Sequence, residues 1–339
     1  MIHNFAIFVL LFIISCSSIN DNKEKSTIQI LSENITQNPT DIDLLYSRVE
    51  YNKSKNNLES ALFDLKEIVR LDSLNKYHHN YIASIYFELS KSGNQRAEYP
   101  LLVRRHLEKS IKIDPQNPSA FALFGELLLA YNKYENAIEY FNSSLKIEYN
   151  QEKTHMLMGY AFKQLSQVDN AINCFRNAIS INPDFFEAHM QLGHIFHLLG
   201  DTNALTYYNN ALKIKPSDPM VLYNKALFYQ SIFEWNKSLE AYSKLHNVSP
   251  FHSSGHYNLG FIHMELKLYD VATNNFSDAI YSDSDFYEAY YSRGICFENL
   301  GNIAQAESDY KRAVEINPDY SYAIEALLRL KANNNKYNN

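Results

Sequence analysis

The chain has 339 residues, 46% of them hydrophobic and 20% charged, with a formal net charge of −7, so it can bury a core and carries no basic stretch that would mark a DNA or RNA partner. Nine Gly and nine Pro against 26 Tyr and 20 Phe exclude collagen-like, linker-like and turn-dense β architectures and favour helices packed by aromatics. Three cysteines, Cys16, Cys174 and Cys296, make no disulfide framework and no zinc-type spacing.

Phe5 to Ile14 is an unbroken apolar run of ten residues. A membrane-spanning helix needs roughly 20, so the run matches the hydrophobic region of a signal peptide. The segment before it, Met1 to Asn4, lacks the Lys or Arg with which such peptides usually open. The following Ile13-Ile14-Ser15-Cys16 resembles the lipobox of bacterial lipoproteins. That resemblance implies removal of residues 1–15 as a lipoprotein signal peptide and a mature chain beginning at Cys16. Cys16 would carry a diacylglyceryl group and an amide-linked, palmitate-type acyl chain, two signals sufficient for stable anchoring. Residues 16–26 would form a polar tether, and Ser17 after the cysteine favours the outer membrane within a bacterial cell envelope. The alternative is a soluble secreted or cytosolic binding module without a lipid anchor.

From residue 27 onward a fixed period organises the sequence. Gly125, Gly159, Gly193, Gly260 and Gly294 fall at intervals of 34, 34, 67 and 34 residues, the long interval being one 33 and one 34. Pro39, Pro115, Pro183, Pro216, Pro250 and Pro318 occupy a second phase, and Ala61, Ala137, Ala171, Ala204, Ala272 and Ala306 a third. Phe141, Phe175, Tyr208, Tyr242, Phe276 and Tyr310 mark a fourth, with Ala178, Ala211, Ala279 and Ala313 as a fifth. Punctuation at fixed phase means repeated structural units.

The pattern resembles the tetratricopeptide repeat (TPR), with Gly at position 8, Ala at 20, an aromatic at 24, Ala at 27 and Pro at 32. In that phase the units are 42–75, 76–117, 118–151, 152–185, 186–218, 219–252, 253–286 and 287–320. The resemblance implies an all-α, right-handed superhelical solenoid of about eight helical hairpins. Small residues let two antiparallel helices approach, and the proline stops the second helix. An N-terminal half-repeat helix is expected within 27–41, a C-terminal capping helix over 321–331 and a disordered polar tail over 332–339. The unit 76–117 is eight residues too long, with the surplus near Ser90 to Glu98 around Gly93, either a contact loop or a tolerated surface insertion. Unit 186–218 lacks one residue near Gly200. Lys225 and Arg293 stand where an apolar residue is usual, and their alkyl stems can cover apolar surface with the charge outside.

No GxSxG, P-loop, HExxH or GxGxxG motif occurs, and the repeats fill the chain, so neither an enzyme nor a cofactor or small-molecule substrate is expected. His194 and His197 lie one helical turn apart, but His189 shares position 4 with His79, His155 and His256, a packing slot, so no metal site is expected. Cys174 and Cys296 read as small buried hydrophobes. Trp235, in the turn phase, either contacts a partner or pins its loop.

The resemblance implies a concave groove, lined by the first helix of each unit, that receives other proteins. Positions 5 and 9 give Met156, Tyr160, Met190, His194, Tyr223, Leu227, Tyr257, Phe261 and Tyr291 as the partner-binding set. Self-association through the same groove is a further expectation. Asn224 and Asn258 occupy position 6, as in chaperone-binding members of the family that clamp a terminal carboxylate. The lysine those members carry at position 5 is absent, so capture of an acidic chain end is not expected. The function expected is that of a non-catalytic scaffold or adaptor tethered to an envelope membrane.

Overall fold

A computed structural model describes residues 26–92 and 96–337. The expected signal peptide, Cys16 and most of the tether lie outside the described residues, as does Gly93 of the inserted loop. Among the described residues all regular structure is α-helical, the class the sequence implies. The chain divides after Pro115 into two compact units.

The first unit holds α1 (Thr27–Gln37), α2 (Ile42–Ser54), α3 (Leu58–Leu71), α4 (Lys76–Lys91) and α5 (Tyr99–Ile113). Helix α1 starts where the Ser26 backbone N–H donates to Gln29 Oε1 at 2.9 Å, and it packs on the hairpin α2/α3. The hairpin α4/α5 follows, and Pro100 sits in the first turn of α5, where its missing N–H costs nothing. Part of the insertion lengthens helix rather than loop: α4 has 16 residues, whereas the other first helices have 13.

The second unit holds six hairpins and a final helix. They are α6 (Pro118–Ala130) with α7 (Tyr134–Ile147), α8 (Glu152–Gln164) with α9 (Val168–Ile181), and α10 (Phe186–Leu198) with α11 (Asn203–Ile214). Then come α12 (Pro219–Ser231) with α13 (Trp235–Val248), α14 (Ser253–Glu265) with α15 (Tyr269–Ser282), and α16 (Tyr287–Asn299) with α17 (Ile303–Ile316). Helix α18 (Ser321–Tyr337) covers the last hairpin, burying Ala326 and Leu330 against Tyr310. It runs on past Lys331 into the stretch expected to be a disordered tail, because Ala332 to Tyr337 contains no Gly or Pro to break it. No helix among the described residues is long and apolar enough to cross a membrane.

Within each unit the helices pack mainly on their sequence neighbours, which is the contact pattern of a repeat stack. The turns inside the hairpins share one geometry. The residue at position 15 has positive φ in seven of them: Asn56, Asn132, Ser166, Gly200, Phe233, Lys267 and Gly301. The next residue's N–H then reaches back to the third-last helical carbonyl, as in Lys133 to Leu128 at 2.9 Å and Asn302 to Phe297 at 2.8 Å. Phe233 holds this left-handed conformation at φ +59° despite its bulk, and its ring meets Trp235 edge-on at 5.4 Å. Trp235 is itself half-buried against the α12/α13 core, a position in which it pins the loop.

A second recurrent tie joins consecutive hairpins. His79, His155, His189 and His256, all at position 4, each direct Nε2 to the backbone oxygen six residues earlier, at Ser73, Tyr149, Pro183 and Pro250, over 2.8–3.1 Å. The Nδ1 atoms of His155 and His189 are buried without a partner, so the tie of each ring to the backbone runs through Nε2 alone. His189 is thereby committed to the fold. Cys174 and Cys296 are buried, and burial pushes both thiols up to about 12.

Candidate functional site

The face formed by positions 5 and 9 of the first helices in the second unit combines aromatic, thioether and imidazole groups. Tyr223, Tyr257 and Tyr291 are half-buried and repeat one arrangement. Each ring packs on the position-24 aromatic of its own hairpin: Tyr223 on Tyr242 at 6.2 Å, Tyr257 on Phe276 at 5.6 Å, Tyr291 on Tyr310 at 5.7 Å. Each also meets the residue at position 34 of its unit, His252 at 4.8 Å, Phe286 at 5.0 Å and Tyr320 at 5.4 Å. Position 6 of the next hairpin then addresses the hydroxyl. Asn258 Nδ2 donates to Tyr223 Oη at 3.2 Å, and Ser292 Oγ lies 3.5 Å from Tyr257 Oη.

The position-34 residues were not among the sequence candidates, although their own spacing of 34 from His252 to Phe286 to Tyr320 marks them. The bond from Asn258 also removes that amide from any carboxylate clamp. It instead fixes a tyrosine ring, so the face offers aromatic edges held by their neighbours rather than a charged anchor.

The remaining candidates divide by depth. Leu227, Phe261 and Tyr160 are half-buried, and Tyr160 stands edge-on to Phe175 at 5.7 Å. His194 is exposed, and burial of part of its ring, with Lys163 nearby, holds its imidazole below the usual range. Met156 and Met190 correct the expectation: they are only 4% and 8% exposed and belong to the core that contains Phe175 and Tyr208. Flexible thioether side chains have been drawn into gaps between hairpins and offer a partner no surface. His197 points elsewhere, its Nδ1 3.4 Å from the Tyr208 hydroxyl and its ring edge-on to Phe228. Among the described residues no group of His, Cys, Asp and Glu is arranged to hold a metal ion.

Half-buried tyrosines of this kind present apolar ring edge to a partner at low entropic cost, because their rings are already fixed. Burial raises the Tyr160 and Tyr291 hydroxyls above their usual range, so at neutral pH they remain donors.

A TPR repeat family model matches residues 159–200, and tetratricopeptide repeat models match residues 186–218 and 287–320. No curated protein matches the sequence. Among solved structures the chain is similar to MamA, at 18% identity over 50% of this chain and 94% of that one, with a TM-score of 0.43. It is also similar to a MamA fragment (41-end) from Desulfovibrio magneticus RS-1, at 17% identity over 52% and 96% with a TM-score of 0.44. A third similar structure is a chain of the APC/C hetero-tetramer Cut9-Hcn1, at 16% identity over 89% and 58% with a TM-score of 0.48.

Proposed function

The chain is a tetratricopeptide repeat protein, and we propose that it works as a non-catalytic scaffold that holds segments of other proteins against the tyrosine face of its second unit. The observation that carries this reading is the repeated cradle around Tyr223, Tyr257 and Tyr291, in which each ring is packed on one side and accessible on the other. Preformed aromatic contacts at a regular spacing suit an extended or helical peptide segment, because little side-chain freedom is lost when it docks. The lipobox-like Ile13-Ile14-Ser15-Cys16 supports the second half of the proposal, that a lipid on Cys16 confines the scaffold to an envelope membrane and raises the local concentration of what it binds.

The two halves are tested separately. Cross-linked capture from intact cells is compared between wild type and a Tyr223→Ala, Tyr257→Ala, Tyr291→Ala variant whose circular dichroism shows retained helicity. Loss of one defined set of proteins supports the face, and an unchanged set refutes it. Metabolic labelling with palmitate that disappears in Cys16→Ser supports the tether, and a chain that takes no label favours the soluble module.

A further inference from the structure

Three hairpins carry a cation at position 7, and in two of them it lies over the ring at position 11, one turn further along the same helix. Arg293 has its guanidinium carbon 5.8 Å from the centre of the Phe297 ring, and Lys225 has Nζ 5.9 Å from that of Tyr229. Tyr86, Phe162 and Phe196 hold position 11 in other hairpins. The third cation is Arg48, and position 11 of its hairpin is Asn52. In other respects Arg48 matches Arg293. Its Nε and Nη2 donate to the two carboxylate oxygens of the buried Asp64 at 2.8 and 2.6 Å, with Nη1 3.3 Å from Ser32 Oγ. Arg293 makes the same forked pair with Asp309 and reaches Ser277 Oγ at 3.0 Å. What Arg48 lacks is the ring.

Arg48 borders a cleft of about 370 Å3 between α1, α2 and α3, a size that accepts a small molecule. Ile28 and Phe63 supply apolar wall, and Phe63 is 72% exposed. Asn52 lines the same cleft. It is only 6% exposed, and its side-chain amide has no hydrogen-bond partner among the described residues. An unpaired amide at that depth is costly until something supplies both a donor and an acceptor to it. Arg48 and Asp64 are the charged residues on the lining, and they neutralise each other at 2.6 Å, so the cleft favours an uncharged ligand.

We propose that this cleft binds a planar heteroaromatic base of the adenine type. Its ring takes the place of the missing position-11 ring against Arg48, and its edge, an amino group beside a ring nitrogen, pairs with the Asn52 amide. A guanidinium plane stacks on aromatic faces even while its edge is held by a carboxylate. An asparagine amide presents an acceptor and a donor side by side, and a two-atom edge of this kind answers both at once. A phenol or an indole brings a single polar atom and leaves half of the amide unmet. A net charge of −7 without a basic stretch speaks against a base carried on a nucleic acid, so the ligand class is a free nucleoside. All of the lining belongs to the first unit, and the proposal does not depend on the tyrosine face.

The test is calorimetric titration of the full chain with adenosine, alongside purine riboside, which keeps the ring system and the sugar but lacks the amino group. Saturable binding of adenosine, at least tenfold tighter than purine riboside and little changed by added salt, is expected. Asn52→Leu, which keeps the side-chain size without the amide, should lower the adenosine affinity at least tenfold in a chain whose helicity is intact. Asn52→Phe, which restores the ring of the other hairpins, should abolish binding. No saturable binding, equal binding of purine riboside, or adenosine affinity unchanged in Asn52→Leu would overturn the proposal.

Discussion

Gly294 lies so close to Tyr310 that a β-carbon on residue 294 would stand 2.6 Å from Cε1 of the tyrosine ring. Gly125 and Phe141, Gly159 and Phe175, Gly193 and Tyr208, and Gly260 and Phe276 share the relationship at the same 2.6–2.7 Å. The position-8 glycine is therefore required by the aromatic of the second helix, which fills the space a side chain would take. Within the second unit the hairpin α12/α13 is the exception, with Ala226 at position 8 and a wider spacing, 6.2 Å, between Tyr223 and Tyr242 than the corresponding rings have in the next two hairpins. Its position-20 residue differs as well. Ser238 replaces the usual alanine, and its buried hydroxyl is satisfied by donating to the Ala226 carbonyl at 2.9 Å.

Gly294→Ala is expected to destabilise the second unit by about 1–3 kcal/mol through overpacking against the Tyr310 ring. Gly301→Ala meets open space but sits at φ +81°, so its cost of about 1 kcal/mol comes from the backbone alone. Urea denaturation separates the two mechanisms when Tyr310→Leu is added. The smaller side chain should relieve the first substitution and leave the second unchanged.

The pair Arg293–Asp309 sets a second expectation. Asp309→Ala leaves a largely buried guanidinium without its carboxylate, at a cost of about 2–4 kcal/mol. Replacing both residues with apolar ones, Arg293→Met with Asp309→Leu, should recover most of that loss, since the desolvation penalty of the pair disappears with it. Thermal unfolding of the single and double variants would show no recovery if the pair itself were the main source of stability.

His106 makes the first unit sensitive to acid. Its Nδ1 lies 3.0 Å from Nδ1 of His79, whose Nε2 points at the Ser73 carbonyl oxygen, so both rings are neutral with His106 donating. Burial first, and the neighbouring His79 next, push the His106 pKa down to about 4, against roughly 6.5 in an unfolded chain. The unfolded state therefore binds more protons between those values, and stability falls as pH drops from about 6.5 towards 4. The expected loss from this group is about 2 kcal/mol after allowance for solvent screening. His106→Phe should reduce the slope of stability against pH in that window, and a variant with the wild-type slope would exclude His106 as its source.

The fold could be read from the sequence because its punctuation residues answer hard steric demands. Gly294 has no room for a side chain, and Pro183 and Pro318 interrupt helices wherever they stand. The site was legible only to the level of a face. Positions 5 and 9 are fixed by helical period, but depth depends on how far each side chain reaches and what gap lies beneath it. Tyr257 spans from core to surface, whereas Met190, at the same position 5 two units earlier, collapses inward. Isolated residues such as His252 carried no signal until Phe286 and Tyr320 were seen to occupy the same place. The end of α18 was missed because asparagine-rich composition reads as a tail, while a helix with no breaker continues under its own propagation.

Depth gives the last prediction. Met190 belongs to the core around Tyr208, so Met190→Ala removes buried surface and is expected to cost about 2–4 kcal/mol of stability. Tyr257→Ala removes a half-buried ring whose outer part already faces solvent, with a smaller loss of about 1–2 kcal/mol. Partner capture should show the reverse order: at a temperature where both variants remain folded, Met190→Ala retains the wild-type set and Tyr257→Ala loses it. A Met190→Ala variant that stays fully stable yet captures nothing would place the methionine at the binding surface and return it to the partner-binding set. The measurement thus reads packing and recognition on the same pair of residues, since a core residue moves the denaturation midpoint first and a contact residue moves capture first.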